Sequence, residues 1–147
     1  MKQLDTSDLN KSLQIEGYLG AHAFNELPPI PEGDFSLVIN VTTGPGSHWL
    51  ALVRKKKRFI FLDSFGRPIN GVLFSREFKE TMKKCIDGPL TYNRKWVQDL
   101  TSNACGYYCV FFLKQLQSLK LNNILESFGD DLKKNDKFVY EFYVNNK

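Results

Sequence analysis

Four residues of this chain carry side chains that together can break an acyl bond: His48, Asp63, Gln98 and Cys105. A thiolate supplies the nucleophile, an imidazole the base, a carboxylate holds and charges the imidazole, and an amide N–H receives an oxyanion. Cys105 opens the apolar run Cys105-Gly106-Tyr107-Tyr108-Cys109-Val110-Phe111-Phe112-Leu113, and Lys114, Gln115 and Gln117 come only after it. Cys105, Cys109, Phe112, Leu113, Leu116 and Leu119 recur at helical spacing, which predicts a helix over about residues 105–120 with its first two turns buried. Asn103 or Ser102 is the expected N-cap. Cys105 then lies in the first turn, where unpaired N–H groups and the helix dipole favour a thiolate. A cysteine in an apolar helix is otherwise an inert core residue, which is how Cys109 reads. The catalytic reading of Cys105 therefore depends on its partners.

The chain has two histidines. His22 sits in a proline-rich stretch with no acid nearby in sequence and reads as a surface residue. His48 begins an apolar strand directly after a Gly/Pro turn, and Asp63 closes the next strand. An antiparallel hairpin brings these two strand ends together. Side chains alternate between faces, so His48 and Asp63 share a face only if opposed residue numbers sum to an odd value. That requires an even-numbered loop or a bulge. Gln98 lies seven positions before Cys105, across the turn that leads into the helix. Its side-chain amide and the Cys105 N–H are the expected oxyanion donors.

The elements that must position these residues are legible as a mixed pattern. A helix is predicted from the capping signal Asp5-Thr6-Ser7-Asp8 to about Leu13, broken at residues 17–20, with an extended loop over 21–31. Strands are predicted over 35–41, 48–53 and 59–63, with turns at 42–47 and 64–68. A helix follows over 74–86, with Phe74, Phe78, Met82 and Cys85 inward. Extended segments at 90–93 and 95–97 lead to Gln98, and short helices begin at Asn122 and at Asn135. Length and a 42% hydrophobic content suit one domain over residues 1–147 with an aromatic core. There is no apolar run of bilayer length and no secretory signal at the first residues, so no membrane partner is expected. Three cysteines without a Cys-x-x-Cys pair argue against a disulfide framework and a structural zinc site, and fit a reducing compartment. The net charge of +4 permits a nucleic-acid contact without indicating one. Arg54, Lys55, Lys56, Lys57 and Arg58 at the hairpin tip are a solvated turn or, alternatively, that contact.

Taken in order, Gly-Ser-His48-Trp49, Leu62-Asp63-Ser64-Phe65-Gly66, Gln98 and Asn103-Ala104-Cys105-Gly106-Tyr107-Tyr108-Cys109 closely resemble the adenovirus protease (adenain) family. These are cysteine endopeptidases with similar versions in large DNA transposons and related viruses. The resemblance runs from about Gly17 to about Leu116. It implies an α+β, papain-like fold with permuted His-Asp-Cys order and a central, mostly antiparallel sheet flanked by helices. It makes His48 the base, Asp63 the orienting acid, Gln98 the oxyanion donor and Cys105 the nucleophile, with Trp49 beside the site as a substrate-binding residue. It implies a monomer that cleaves viral or mobile-element precursor proteins at small, Gly-containing sites. Such an enzyme works in the host nucleus or cytoplasm, or in the virion, without metal. By the same resemblance a disulfide-linked peptide and DNA are activators, with Cys85 and the run Arg54 to Arg58 as their sites. The acid departs from the pattern, since adenoviral members have Glu where Asp63 stands, and Cys85 does not match the family spacing cleanly. The chain also ends sooner after the catalytic helix than adenoviral members do. Asp63 suits the related proteases of ubiquitin-like tags, which are the alternative enzyme reading. A non-catalytic nucleic-acid-binding module is the alternative outside enzymology.

Overall fold

The computed structural model describes residues 1–42 and 48–147, so the predicted turn at 42–47 lies, apart from Thr42, outside the described residues. Five strands form one sheet in chain order: β1 (Tyr18–Ala23), β2 (Phe35–Asn40), β3 (Trp49–Lys55), β4 (Arg58–Leu62) and β5 (Leu90–Tyr92). The central pairings β2/β3 and β3/β4 are antiparallel, and the outer pairings β1/β2 and β4/β5 are parallel. The helices are α1 (Thr6–Ser12), α2 (Arg76–Cys85), α3 (Cys105–Gln115), α4 (Leu121–Leu125) and α5 (Leu132–Asn145). The result is a mixed α+β fold whose central sheet is flanked by helices.

Alternation along the strands divides the interior in two. Leu37, Ile39, Leu50, Leu52, Phe59 and Phe61 point to one face, where they pack with Phe74 and with Phe78 and Met82 of α2. Val38, Trp49, Ala51, Val53 and Leu62 point to the other, against the apolar run of α3. Residues 105–113 of α3 are all buried, which explains why the run lacks a polar stripe: the sheet covers one side of the helix, and α1, α4 and α5 contribute residues to the same core. The β3/β4 hairpin turns through two residues, Lys56 and Lys57, both at positive φ, as a type I′ turn requires. Opposed residue numbers therefore sum to an odd value, as with Ala51 against Leu62, which is the register that lets His48 and Asp63 meet.

The elements differ from the sequence expectation at several ends. The stretch 18–23 forms β1 instead of a break and a loop. Gly17, just before the strand, and Gly20, inside it, adopt positive φ, and the pairing shifts between Tyr18 and Ala21, so a turn-type glycine stands inside an irregular edge strand. Helix α3 ends at Gln115, and Leu119, expected inward, is exposed. Its N-cap is Ala104, with no side-chain cap; Ser102 instead donates to the Asp99 carbonyl. Phe74 precedes α2, which Ser75 caps. Helix α5 begins at Leu132, capped by Asp131, and Asn135 and Asp136 are buried inside it.

Candidate active site

The site assembles beyond the ends of β3 and β4, where the start of α3 meets the sheet. His48 still belongs to the ladder through its carbonyl, which accepts from Val41 N–H at 3.1 Å. Asp63 follows β4 and is held by Asn93, whose Oδ1 accepts from the Asp63 N–H at 3.0 Å and whose Nδ2 donates to the Asp63 carbonyl at 2.7 Å. This side-chain clasp continues the parallel β4/β5 pairing and fixes the backbone that carries the acid.

His48 Nε2 lies 2.8 Å from Asp63 Oδ1. Cys105, whose Sγ lies 3.4 Å from the backbone N of the next residue, Trp49, is the second group that favours charge on the imidazole. Burial opposes charge on His48, but the hydrogen bonds and charge of Asp63 and Cys105 outweigh it and raise its pKa to about 9. Asp63 is fully buried. Burial alone would raise its pKa, yet His48 and the Arg67 guanidinium hold it below the usual carboxylate value. Arg67 Nε donates to Asp63 Oδ2 at 2.6 Å, and Phe65 N–H donates to Oδ1 at 3.2 Å. Both carboxylate oxygens are thus satisfied, as a buried charge requires.

Cys105 is the first residue of α3 and is 4% exposed. The backbone N–H of Trp49 donates to its Sγ at 3.4 Å. Trp49 is expected from the resemblance to bind substrate, but the residue is 4% exposed and its Nε1 donates to the Leu4 carbonyl at 2.9 Å. It packs beneath Cys105 and holds the N-terminal segment. Leu4 lies across Gly106, where an added Cβ would come within 3.0 Å of Leu4 Cβ, and Tyr107 Oη donates to the Lys2 carbonyl at 2.6 Å.

Gln98 is buried, and its side chain is bonded at both ends. Oε1 accepts from Ser64 Oγ, while Nε2 is 3.1 Å from the Ser102 carbonyl and 3.2 Å from Ser102 Oγ. Its direct partners are therefore the Ser64 loop and the turn before α3. The Gln98 backbone is pinned from two sides. Val97 and Gln98 N–H both donate to the Ser64 carbonyl, and Asn135 and Tyr108 both donate to the Val97 carbonyl. Tyr108 Oη also lies 2.7 Å from Asp136 Oδ1, which accepts from Asp99 N–H at 3.3 Å.

The remaining predicted residues lie elsewhere. Cys85 ends α2, half-buried against the aromatic core, and burial raises its thiol pKa. Cys109 is buried one turn after Cys105, with its pKa raised well above the ordinary value by burial, and all three cysteines are free. His22 lies in β1 with Nε2 2.9 Å from the Leu19 carbonyl. The basic run is at the opposite end of β3. Arg54 pairs with Asp34 and Lys55 Nζ donates to the Leu116 carbonyl, while Lys56, Lys57 and Arg58 are exposed. A cleft of about 610 Å³ near Arg54, Ser36 and Leu116 opens at that far end, away from Cys105. Among the described residues no cluster of His, Cys, Asp and Glu could hold a metal, and no helix is long and apolar enough to cross a membrane.

Sequence reasoning gave no role to Leu4, Ser64, Phe65, Arg67, Asn93 or Trp96. Phe65 stacks on the His48 ring, with centroids 5.1 Å apart and planes at 21°. The i,i+4 spacing of Asp63 and Arg67 was the available signal for that ion pair; nothing local marks Asn93 or Leu4, whose contacts span long sequence separations.

The fold is one that a viral protease uses. No family model and no curated protein matches the chain by sequence. Among solved structures it is similar to ASFV pS273R protease, with a TM-score of 0.56 and 16% identity over 92% of this chain and 65% of that one. A structure of the same ASFV protease as the selenomethionine protein gives a TM-score of 0.47 and 19% identity, over 95% of this chain and 53% of that one. The chain thus spans 65% of the protease in the first of these structures.

Proposed function

We propose that the protein is a cysteine endopeptidase in which Cys105 is the nucleophile, His48 the proton carrier and Asp63 its orienting acid. The observation that carries this reading is His48, hydrogen-bonded through Nε2 to the buried Asp63, next in chain to Trp49, whose N–H donates to Cys105 Sγ. Its raised pKa makes it an imidazolium near neutral pH, the counter-charge that a thiolate needs. The protease fold is consistent with this, and so is Cys105 at the first position of α3, where N–H groups have no intrahelical partner.

In the proposed reaction the Cys105 thiolate attacks the scissile carbonyl and forms a C–S bond. The carbonyl electrons move onto oxygen, where the Cys105 N–H and a Gln98 side-chain N–H receive the charge. For Gln98 to do so, one N–H must release Ser102, so its role is oxyanion donor only once substrate has entered. Collapse of the intermediate breaks the C–N bond as His48 gives its proton to the leaving amine. Water, deprotonated by His48, then hydrolyses the thioester. Every group in this scheme is a side chain or backbone N–H of the chain, and no metal or organic cofactor enters it.

Precursor proteins of a virus or mobile element, cut at small Gly-containing sites, are the proposed natural substrates. The support is the sequence resemblance around His48, Asp63 and Cys105. Peptide or DNA activation, with Cys85 and the hairpin tip as sites, is a proposal on the same basis.

A reporter-linked peptide library, run with wild type beside Cys105→Ala and with and without DNA, tests the reading. Cleavage by wild type alone is the expected result, together with preferential labelling of Cys105 by a thiol-directed probe. Equal labelling of Cys85 and Cys105, with no cleavage, overturns it.

A further inference from the structure

We propose that Phe65 and Trp96 form the subsite for the residue directly after the scissile bond, and that this subsite selects a large apolar or aromatic side chain. The inference rests on the thiol-protease reading above and adds its substrate class: the small, Gly-containing part of the site precedes the scissile bond, and a large apolar residue follows it. Trp96 is 49% exposed, yet it is firmly held. Its Nε1 donates to the Gln98 carbonyl at 2.6 Å, and its ring meets Phe65 edge-on with centroids 5.7 Å apart. Phe65 in turn lies flat on the His48 imidazole. An unbroken aromatic row therefore leads from the proton carrier out to solvent.

The backbone beneath this row is built for close approach. Gly66 has φ +68°, and a Cβ there would fall 2.7 Å from Lys95 C and 2.8 Å from Trp96 N. Only glycine lets the Phe65 loop press this tightly against the Trp96 segment. The Ser64 carbonyl, accepting from Val97 and Gln98 N–H at 2.9 and 3.2 Å, closes the same contact. The exposed indole is thus fixed both to the segment that carries Gln98 and to the loop that follows Asp63.

Chemistry selects the occupant. His48 must pass its proton to the leaving nitrogen, so that nitrogen sits at the imidazole. The residue that carries it projects its side chain beside the imidazole, where Phe65 stacks on the ring and Trp96 extends the aromatic row outward. Trp49, which also adjoins the site, is buried and unavailable. A preset indole with few free torsions takes up apolar surface at small entropic cost.

Partition of the acyl-enzyme reads this subsite alone. The full chain is acylated with a peptide p-nitrophenyl ester, and glycinamide or phenylalaninamide is added as the competing nucleophile. The amine forms a C–N bond as the C–S bond breaks, and its proton passes to His48 while the thiolate leaves. Wild type should favour phenylalaninamide over glycinamide by about tenfold, the scale that one apolar side chain supplies. In Trp96→Ala the preference should fall to within about twofold of unity, and Trp96→Phe should restore most of it. The preference is a ratio, so a general loss of rate does not move it. No preference in wild type overturns the proposal, as does full retention in Trp96→Ala. Failure of the ester to acylate Cys105 at all identifies a failure of the protease reading itself.

Discussion

At the scale of single residues, the site is a chain of charges in which each member sets the next. Arg67 lies between the rings of Phe65 and Phe74, with Cζ 5.3 and 4.8 Å from their centroids, and grips the Asp63 oxygen that His48 leaves free. Asp63 therefore stays ionised in a fully buried position, and that negative charge helps lift the His48 pKa to about 9. Two pH effects follow. His48 has a higher pKa folded than unfolded, so its ion pair stabilises fully below about pH 6.5 and that contribution is lost as pH rises through about 9. The full shift corresponds to about 3 kcal/mol. Asp63 has a lower pKa folded, so its contribution is present above its unfolded value and is lost on acidification through its folded one. The thermal-stability gap between wild type and His48→Ala should accordingly narrow from pH 6.5 to 9.5. The basic limb of kcat/KM should lie near pH 9 and move toward neutrality in Asp63→Asn, where the imidazolium loses its partner. A limb that stays at pH 9 in Asp63→Asn would remove Asp63 from this role.

At the scale of elements, the residues legible in the sequence were those whose signal is local. Asp63 at the end of an apolar strand, His48 at the start of another and Cys105 at the head of an apolar run each announce themselves through their neighbours. The even-numbered Lys56-Lys57 turn that lets His48 meet Asp63 was legible as a condition, and the register meets it. What stayed hidden depends on distant contacts. Helix α3 carries no cap of its own because its first turn lies within the core, beneath Leu4 and beside Trp49. Capped by Asp131, α5 starts at Leu132, three residues before its legible start at 135, because Asn135 and Asp136 serve as interior anchors for Val97 and Asp99 instead of as caps. The N-terminal segment was unreadable for the same reason: Leu4 reaches the site only through α3 and β3. Leu4→Ala should cost about 2–5 kcal/mol in stability, the range for a buried leucine. It should also lower kcat/KM by more than Leu116→Ala, a core truncation at the other end of α3 and about 16 Å along the helix axis from Cys105. Kinetics with both variants well below their melting temperatures check this. Equal losses would make the segment a general stabiliser with no particular link to Cys105.

At the scale of the whole molecule, the sheet separates two regions of opposite character. The proposed chemistry sits at the His48 end of β3, buried and satisfied. The exposed charges of Lys56, Lys57 and Arg58 sit at the other end, next to the cleft that Arg54 and Ser36 line. Seven strand residues span about 23 Å, well beyond a screening length of about 8 Å in physiological salt. The hairpin charges therefore have no direct electrostatic hold on the His48–Cys105 pair. Replacing Lys56, Lys57 and Arg58 together by Gln should leave DNA-free peptide cleavage within about twofold of wild type. If the tip carries a polyanion site, the same variant should flatten the salt dependence of DNA binding, because each lost phosphate contact lowers the slope of log K against log salt by about 0.9. Rates and binding isotherms from 50 to 300 mM salt measure both effects on one protein. A large loss of DNA-free cleavage would show that the two ends of β3 are coupled through the core. An unchanged salt slope would move any nucleic-acid contact off the hairpin.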